Sequence, residues 1–97
     1  MNQKLVDQLR LELQAFSRLD ASTTLKRITD AYNRILGIVQ AMMLSSDNPD
    51  THARAWSMLN DDAYKDLVEI QEGRSQALTD LNYKLSQVGE LLIQPKA

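Results

Sequence analysis

Apolar residues recur along this chain at spacings of three and four, from Val6 to Leu92, and hardly ever in strict alternation. That period belongs to amphipathic helices, so the pattern predicts an all-α fold without strands. The first helix is expected over residues 3–18. Its seam reads either as Val6, Leu9, Leu13 and Phe16 or, equally well spaced, as Leu5, Leu9, Glu12, Phe16 and Leu19. The stretch LDASTTL then offers Asp20 and Ser22 as N-caps, because short side chains bearing oxygen accept from the open amides of a first turn.

The second helix, expected over 23–45, has the clearest pattern. Leu25, Ile28, Tyr32, Ile35, Val39 and Met42 form a heptad-like seam. Leu36, Ile38 and Met43 widen it, so that between Ile35 and Leu44 the helix is apolar on nearly every side. Such a helix is expected to be covered on several sides. Asn48 before Pro49 reads as a cap followed by a proline at the first helical position. A short helix over 49–59 would carry Trp56 and Leu59 inward, and Asn60 to Asp62 would cap a last helix over 61–92, ended by Pro95.

That last helix has an interruption in its stripe. Counting from Tyr64 by threes and fours gives Leu67, Gln71, Arg74, Leu78, Leu81, Leu85, Val88 and Leu92, so the phase survives Gln71, Gly73 and Arg74. A preserved phase favours one continuous helix with a polar layer, in which Gly73 costs about 1 kcal/mol against alanine. The alternatives are two shorter helices parted by a loop at Gly73, or a bend there. Arg74 has no carboxylate three or four residues away. If it faces the core it needs a partner from another helix, and Glu12 with Gln71 alongside completes the expected buried layer. Otherwise Arg74 lays its methylenes along the seam and keeps its guanidinium in water.

The expectation is therefore a single helical domain over 1–97. It is a bundle of three long helices plus one short helix, antiparallel, with coiled-coil-like packing. The last helix would be ~45 Å long and the second ~35 Å, against ~30 Å across a small domain. The other two helices are too short to cover both seams. Apolar surface at Ile38, Met42, Met43, Trp56, Leu85 and Leu92 is thus expected to be covered by a homodimer contact or a protein partner.

Composition narrows the class. The chain of 97 residues has a formal charge of −2, with +2 over residues 1–43, −5 over 44–72 and +1 beyond. No global field draws it to nucleic acid or to an anionic membrane. It has no cysteine, which excludes disulfides and thiolate chemistry and fits a reducing compartment. The N-terminus lacks the apolar core of a signal peptide, and the most apolar window, Ile35 to Leu44, is too short to span a bilayer. A cytoplasmic location is expected. In general appearance the chain resembles small helical-bundle proteins of bacteria and their phages, such as secretion chaperones, regulators and inhibitors. The likeness is one of overall pattern, not of any motif.

Chemistry finds little purchase. His52 is the lone histidine, expected exposed in a first helical turn and not a metal ligand. The stretch DNPD lacks the alternating oxygens and glycine of a calcium loop, and no phosphate-binding loop or nucleophile elbow is present. No catalytic, cofactor-binding or metal-ligating residue is assigned, and no small-molecule substrate is evident. Arg18, Lys26, Arg27 and Arg34 are a diluted basic flank, with Asp30 placed to pair with Arg34. The function expected is non-enzymatic protein–protein interaction through an apolar helix face, of adaptor, chaperone, regulator or inhibitor type. The rival is a dimeric nucleic-acid-binding regulator.

Overall fold

The heptad-like seam of the second helix is the spine of the fold in a computed structural model, which describes residues 3–20, 22–46 and 49–93. Helix α1 spans Gln3–Phe16 and α2 spans Leu25–Leu44. Next come α3 (Asp50–Ser57), a π-helical segment (Met58–Ala63) and α4 (Tyr64–Gln71), which follow one another without a break as a single rod. Helix α5 spans Ala77–Leu92. All described regular structure is helical, and four helical rods pack together. Helix α5 lies against α1, α3, α4 and the π segment, while α2 packs on α1, α3 and, less extensively, α4.

Ile28, Tyr32, Ile35, Val39 and Met42 are buried as the α2 spacing requires, whereas Leu25, at the first turn, stays exposed. On α1 the first of the two seam readings is the buried one: Val6, Leu9 and Phe16 are enclosed, with Leu13 packed beside them. Thr24, and not Asp20 or Ser22, caps α2, its hydroxyl accepting from the Arg27 amide. Asp20 instead ties the preceding loop by accepting from the Ser22 amide and hydroxyl, bonds that hold its carboxyl below the usual pKa. The expected Asn48 cap and Pro95 stop lie outside the described residues.

The division of the last two helices differs from the expectation twice. No cap forms at Asn60 to Asp62; the chain runs on as a π turn there. The buried residues explain the need for one. Ala55, Leu59, Ala63 and Leu67 are spaced by fours, and in an α-helix each such step drifts by about 40°. A wider π turn, in which the Tyr64 amide donates to the Leu59 carbonyl five residues back, returns the stripe to one face. The same re-phasing turns Tyr64 outward, although its spacing to Leu67 predicted an inward position; it is half exposed.

The helix expected to continue through Gly73 ends there. Gly73 has φ +98°, a left-handed conformation that penalises any side chain. Its amide donates to the Ile70 carbonyl and the Arg74 amide to the Glu69 carbonyl, the paired bonds of a Schellman cap. The register agreement between the halves comes from a short turn that happens to preserve phase, not from an unbroken helix.

The consequence for packing is large. With the long rod divided, α5 folds back beside α3 and α4, and the stripes of these helices find cover within the chain. The radius of gyration is 13.1 Å, close to the ~13 Å of a self-contained domain of this length. Met42, Leu85 and Leu92, expected to need a second chain to cover them, are buried within this one.

Candidate protein-binding groove

One apolar face is left unfinished. Leu5, Gln8, Leu11 and Glu12 from α1 and Arg34, Gly37, Ile38 and Ala41 from α2 line an open groove of about 430 Å³. On each helix these residues follow spacings of three and four, so each set occupies one face, offset from the buried seam by about one position. On α2 this is the apolar widening beside the seam: Ile38 follows from it, flanking Val39.

Gly37 makes the depth. A methyl group built there would meet no atom within 4 Å, so the absent side chain leaves open space and not a close helix crossing. Gly89 on α5 behaves oppositely, since its Cβ would come within 2.9 Å of a Leu13 methyl. Leu11 stands at the rim with 65% of its surface exposed, an unusual position for a large apolar side chain beside an apolar hollow.

The polar rim is held by an ion pair between elements. Arg34 Nε donates to Glu12 Oε1 at 3.1 Å, bridging α1 and α2 across the groove mouth. The arginine is about half exposed, so the pair orients the mouth more than it stabilises the fold. Elsewhere on the same two helices Arg10 pairs with Asp7 and Lys26 with Asp30. Asp30 therefore takes Lys26, not Arg34.

The expected buried polar layer does not form. Glu12 turns to Arg34, while Gln71 and Arg74 are exposed around the Gly73 cap. The physical reason is that cap: once the helix ends, Arg74 has no stripe to interrupt. Of the expected interaction residues, Ile38 lines the groove, Met43 and Trp56 are half-buried away from it, and Met42, Leu85 and Leu92 belong to the core. Those last three are not available to a partner. Leu5, Leu11, Gly37 and Arg34 were missed as groove residues; a glycine inside a strongly apolar helix was the one sequence signal for them.

Two buried polar groups lie elsewhere. Asp66 of α4 is buried, and its Oδ2 lies 2.8 Å from Lys84 Nζ of α5. That carboxylate raises the Lys84 pKa above its ordinary value. His52, expected exposed, is buried, because α3 begins against α2 and turns its first-turn face inward; its Nδ1 has no protein partner. Beneath the π segment, the Tyr32 hydroxyl donates to the Leu59 carbonyl. Burial pushes the Tyr32 pKa up to about 12, with Tyr64 adding to the shift. These groups fasten rods together, and they do not converge on a common cleft. Among the described residues no cluster of three or more His, Asp or Glu could hold a metal ion, and no helix is long and apolar enough to cross a membrane.

Comparison with models of protein families, with curated proteins and with solved structures finds no match to this chain.

Proposed function

We propose that this protein is a small, non-enzymatic interaction module, of adaptor, chaperone, regulator or inhibitor type, that receives an apolar helix face in the groove between α1 and α2. The observation that carries the reading is the hollow over Gly37 beside the exposed Leu11, on a surface where every other long apolar stripe is covered. Helix-in-groove recognition needs that combination of apolar floor and polar rim. Within this proposal α1 and α2 run antiparallel with coiled-coil-like packing, and the protein works in the cytoplasm.

The groove contains one carboxylate and one guanidinium, and these neutralise each other. That argues for binding over acid–base chemistry. The basic residues Lys26 and Arg34 are also locally paired, which gives phosphate recognition little to use.

The test is affinity capture from the native cell with wild type, Gly37→Leu, Leu11→Glu and a Tyr83→Ser control remote from the groove. A protein retained by wild type and the control, and lost with both groove variants, is the expected result. Retention indifferent to both variants contradicts the proposal. So does salt-sensitive retention of nucleic acid as the sole catch.

A further inference from the structure

We infer that the groove between α1 and α2 is closed by a second copy of this chain, in a two-fold pairing that sets Leu11 of each protomer over Gly37 of its partner. The inference rests on the binding role proposed for the groove and names its occupant.

Three features of the face point to self-pairing. First, it carries both halves of a fit. Leu11 is a large exposed apolar knob, and Gly37 marks a hollow with no atom within 4 Å of the missing side chain. A two-fold interface requires one patch to be complementary to itself, with each residue meeting its counterpart reciprocally. A knob and a hole on opposite walls of one groove meet that requirement. A patch with hollows alone would call for an unlike partner.

Second, the charges around the groove are already balanced. Its two charged lining residues, Glu12 and Arg34, pair with each other at 3.1 Å. A strongly acidic or basic partner gains nothing from such a surface. A second copy presents the same alternating charges and meets no net repulsion.

Third, the available area suits a modest dimer. Helices of this length are about 20 and 30 Å long and each about 10 Å wide, so the two side by side offer on the order of 500 Å² per protomer. That lies at the low end for a specific interface, which fits a weak and reversible association. The four helices of two such faces would form a bundle between the protomers, with Ile38 and Leu5 flanking the seated Leu11.

The experiment is sedimentation velocity across a wide concentration series with wild type, Leu11→Glu and Gly37→Leu. Leu11 is mostly exposed, so its replacement leaves the monomer folded, which circular dichroism verifies. Wild type is expected to shift reversibly from monomer to dimer. Each variant should weaken the association by about 30-fold or more, the effect of losing one central anchor. Because the chain has no cysteine, Leu11→Cys and Gly37→Cys proteins can be mixed and oxidised; the mixed disulfide should form ahead of either homodisulfide. A wild type that stays monomeric at its solubility limit overturns the inference, and so does a dimer untouched by both variants. In the monomeric case a bis-anilinonaphthalene dye separates the two failures. Dye bound by wild type and lost in Gly37→Leu overturns the second copy alone, whereas dye binding unchanged by Gly37→Leu overturns the groove as well.

Discussion

The two sides of α2 make opposite use of similar residues. On one side Tyr32, Ile35 and Val39 are sealed, and Leu59, Ala63 and Leu81 likewise lose essentially all exposure in the core beneath the π segment. On the other side Ile38 and Ala41 border a hollow where Gly37 supplies no side chain and Leu11 stands in solvent. The sealed side even uses a rare helical turn to keep its stripe aligned, at the expense of regular hydrogen bonding. An incompletely filled face beside so tightly closed a core is not a general looseness of the fold. Under the proposed function, stability and recognition fall on different faces of one helix.

That contrast fails if substitutions on the two sides have similar effects. Leu81→Ala, in the sealed core, is expected to lower unfolding free energy by about 2–5 kcal/mol, read from chemical denaturation. Leu11→Ala, measured in the same way at a concentration too low for association, should change it by less than about 0.5 kcal/mol. Equal losses would make Leu11 a core residue and remove the distinction.

Tyr32 sharpens the sealed side. Its hydroxyl is buried against the Leu59 carbonyl and its pKa is raised to about 12. The fold therefore favours the protonated phenol. The associated stability is fully present below the unfolded value of about 10 and is lost as pH rises through about 12. Over that window the loss is on the order of 2 kcal/mol. The raised Lys84 pKa works in the same direction, its share present below the ordinary lysine value and lost as pH climbs through the shifted one. Tyr32→Phe should cost about 1 kcal/mol at neutral pH and flatten part of the alkaline decline in a pH series of denaturation midpoints.

Two glycines give smaller effects of opposite sign. Gly73→Ala places a side chain at φ +98° and should destabilise by about 1 kcal/mol; a helix continuous through Gly73 would instead gain by a similar amount. Gly37→Ala, in a helix and facing open space, should stabilise the monomer by up to about 1 kcal/mol. A loss there would show that the hollow is occupied within the monomer.

How far the sequence revealed these features depends on the range of the interactions that set them. The α2 seam was legible because heptad spacing is a local property and Ile28 to Met42 obey it. Gly73 was readable as a helix end by its residue type, but the regular count from Leu67 to Leu78 argued otherwise, and phase alone cannot distinguish a continuous helix from a register-preserving turn. The spacing by fours from Ala55 to Leu67 went unread as a widened turn, and that turn lies where Tyr32 meets Leu59, 27 residues apart. The groove depends on Glu12 and Arg34, 22 residues apart, and so on how α1 lies against α2. Arg74 had an exposed reading and a buried one, and only the end of α4 decides between them.

Mass-spectrometric footprinting of apolar side chains, at low and at high protein concentration, tests the division of faces most directly. The account predicts that Leu59 and Leu81 resist labelling at both concentrations, while Leu11 and Ile38 label readily when dilute and become protected when concentrated. Protection confined to other surfaces such as Tyr64 and Tyr83, or Leu11 resisting labelling in the dilute protein, would contradict it.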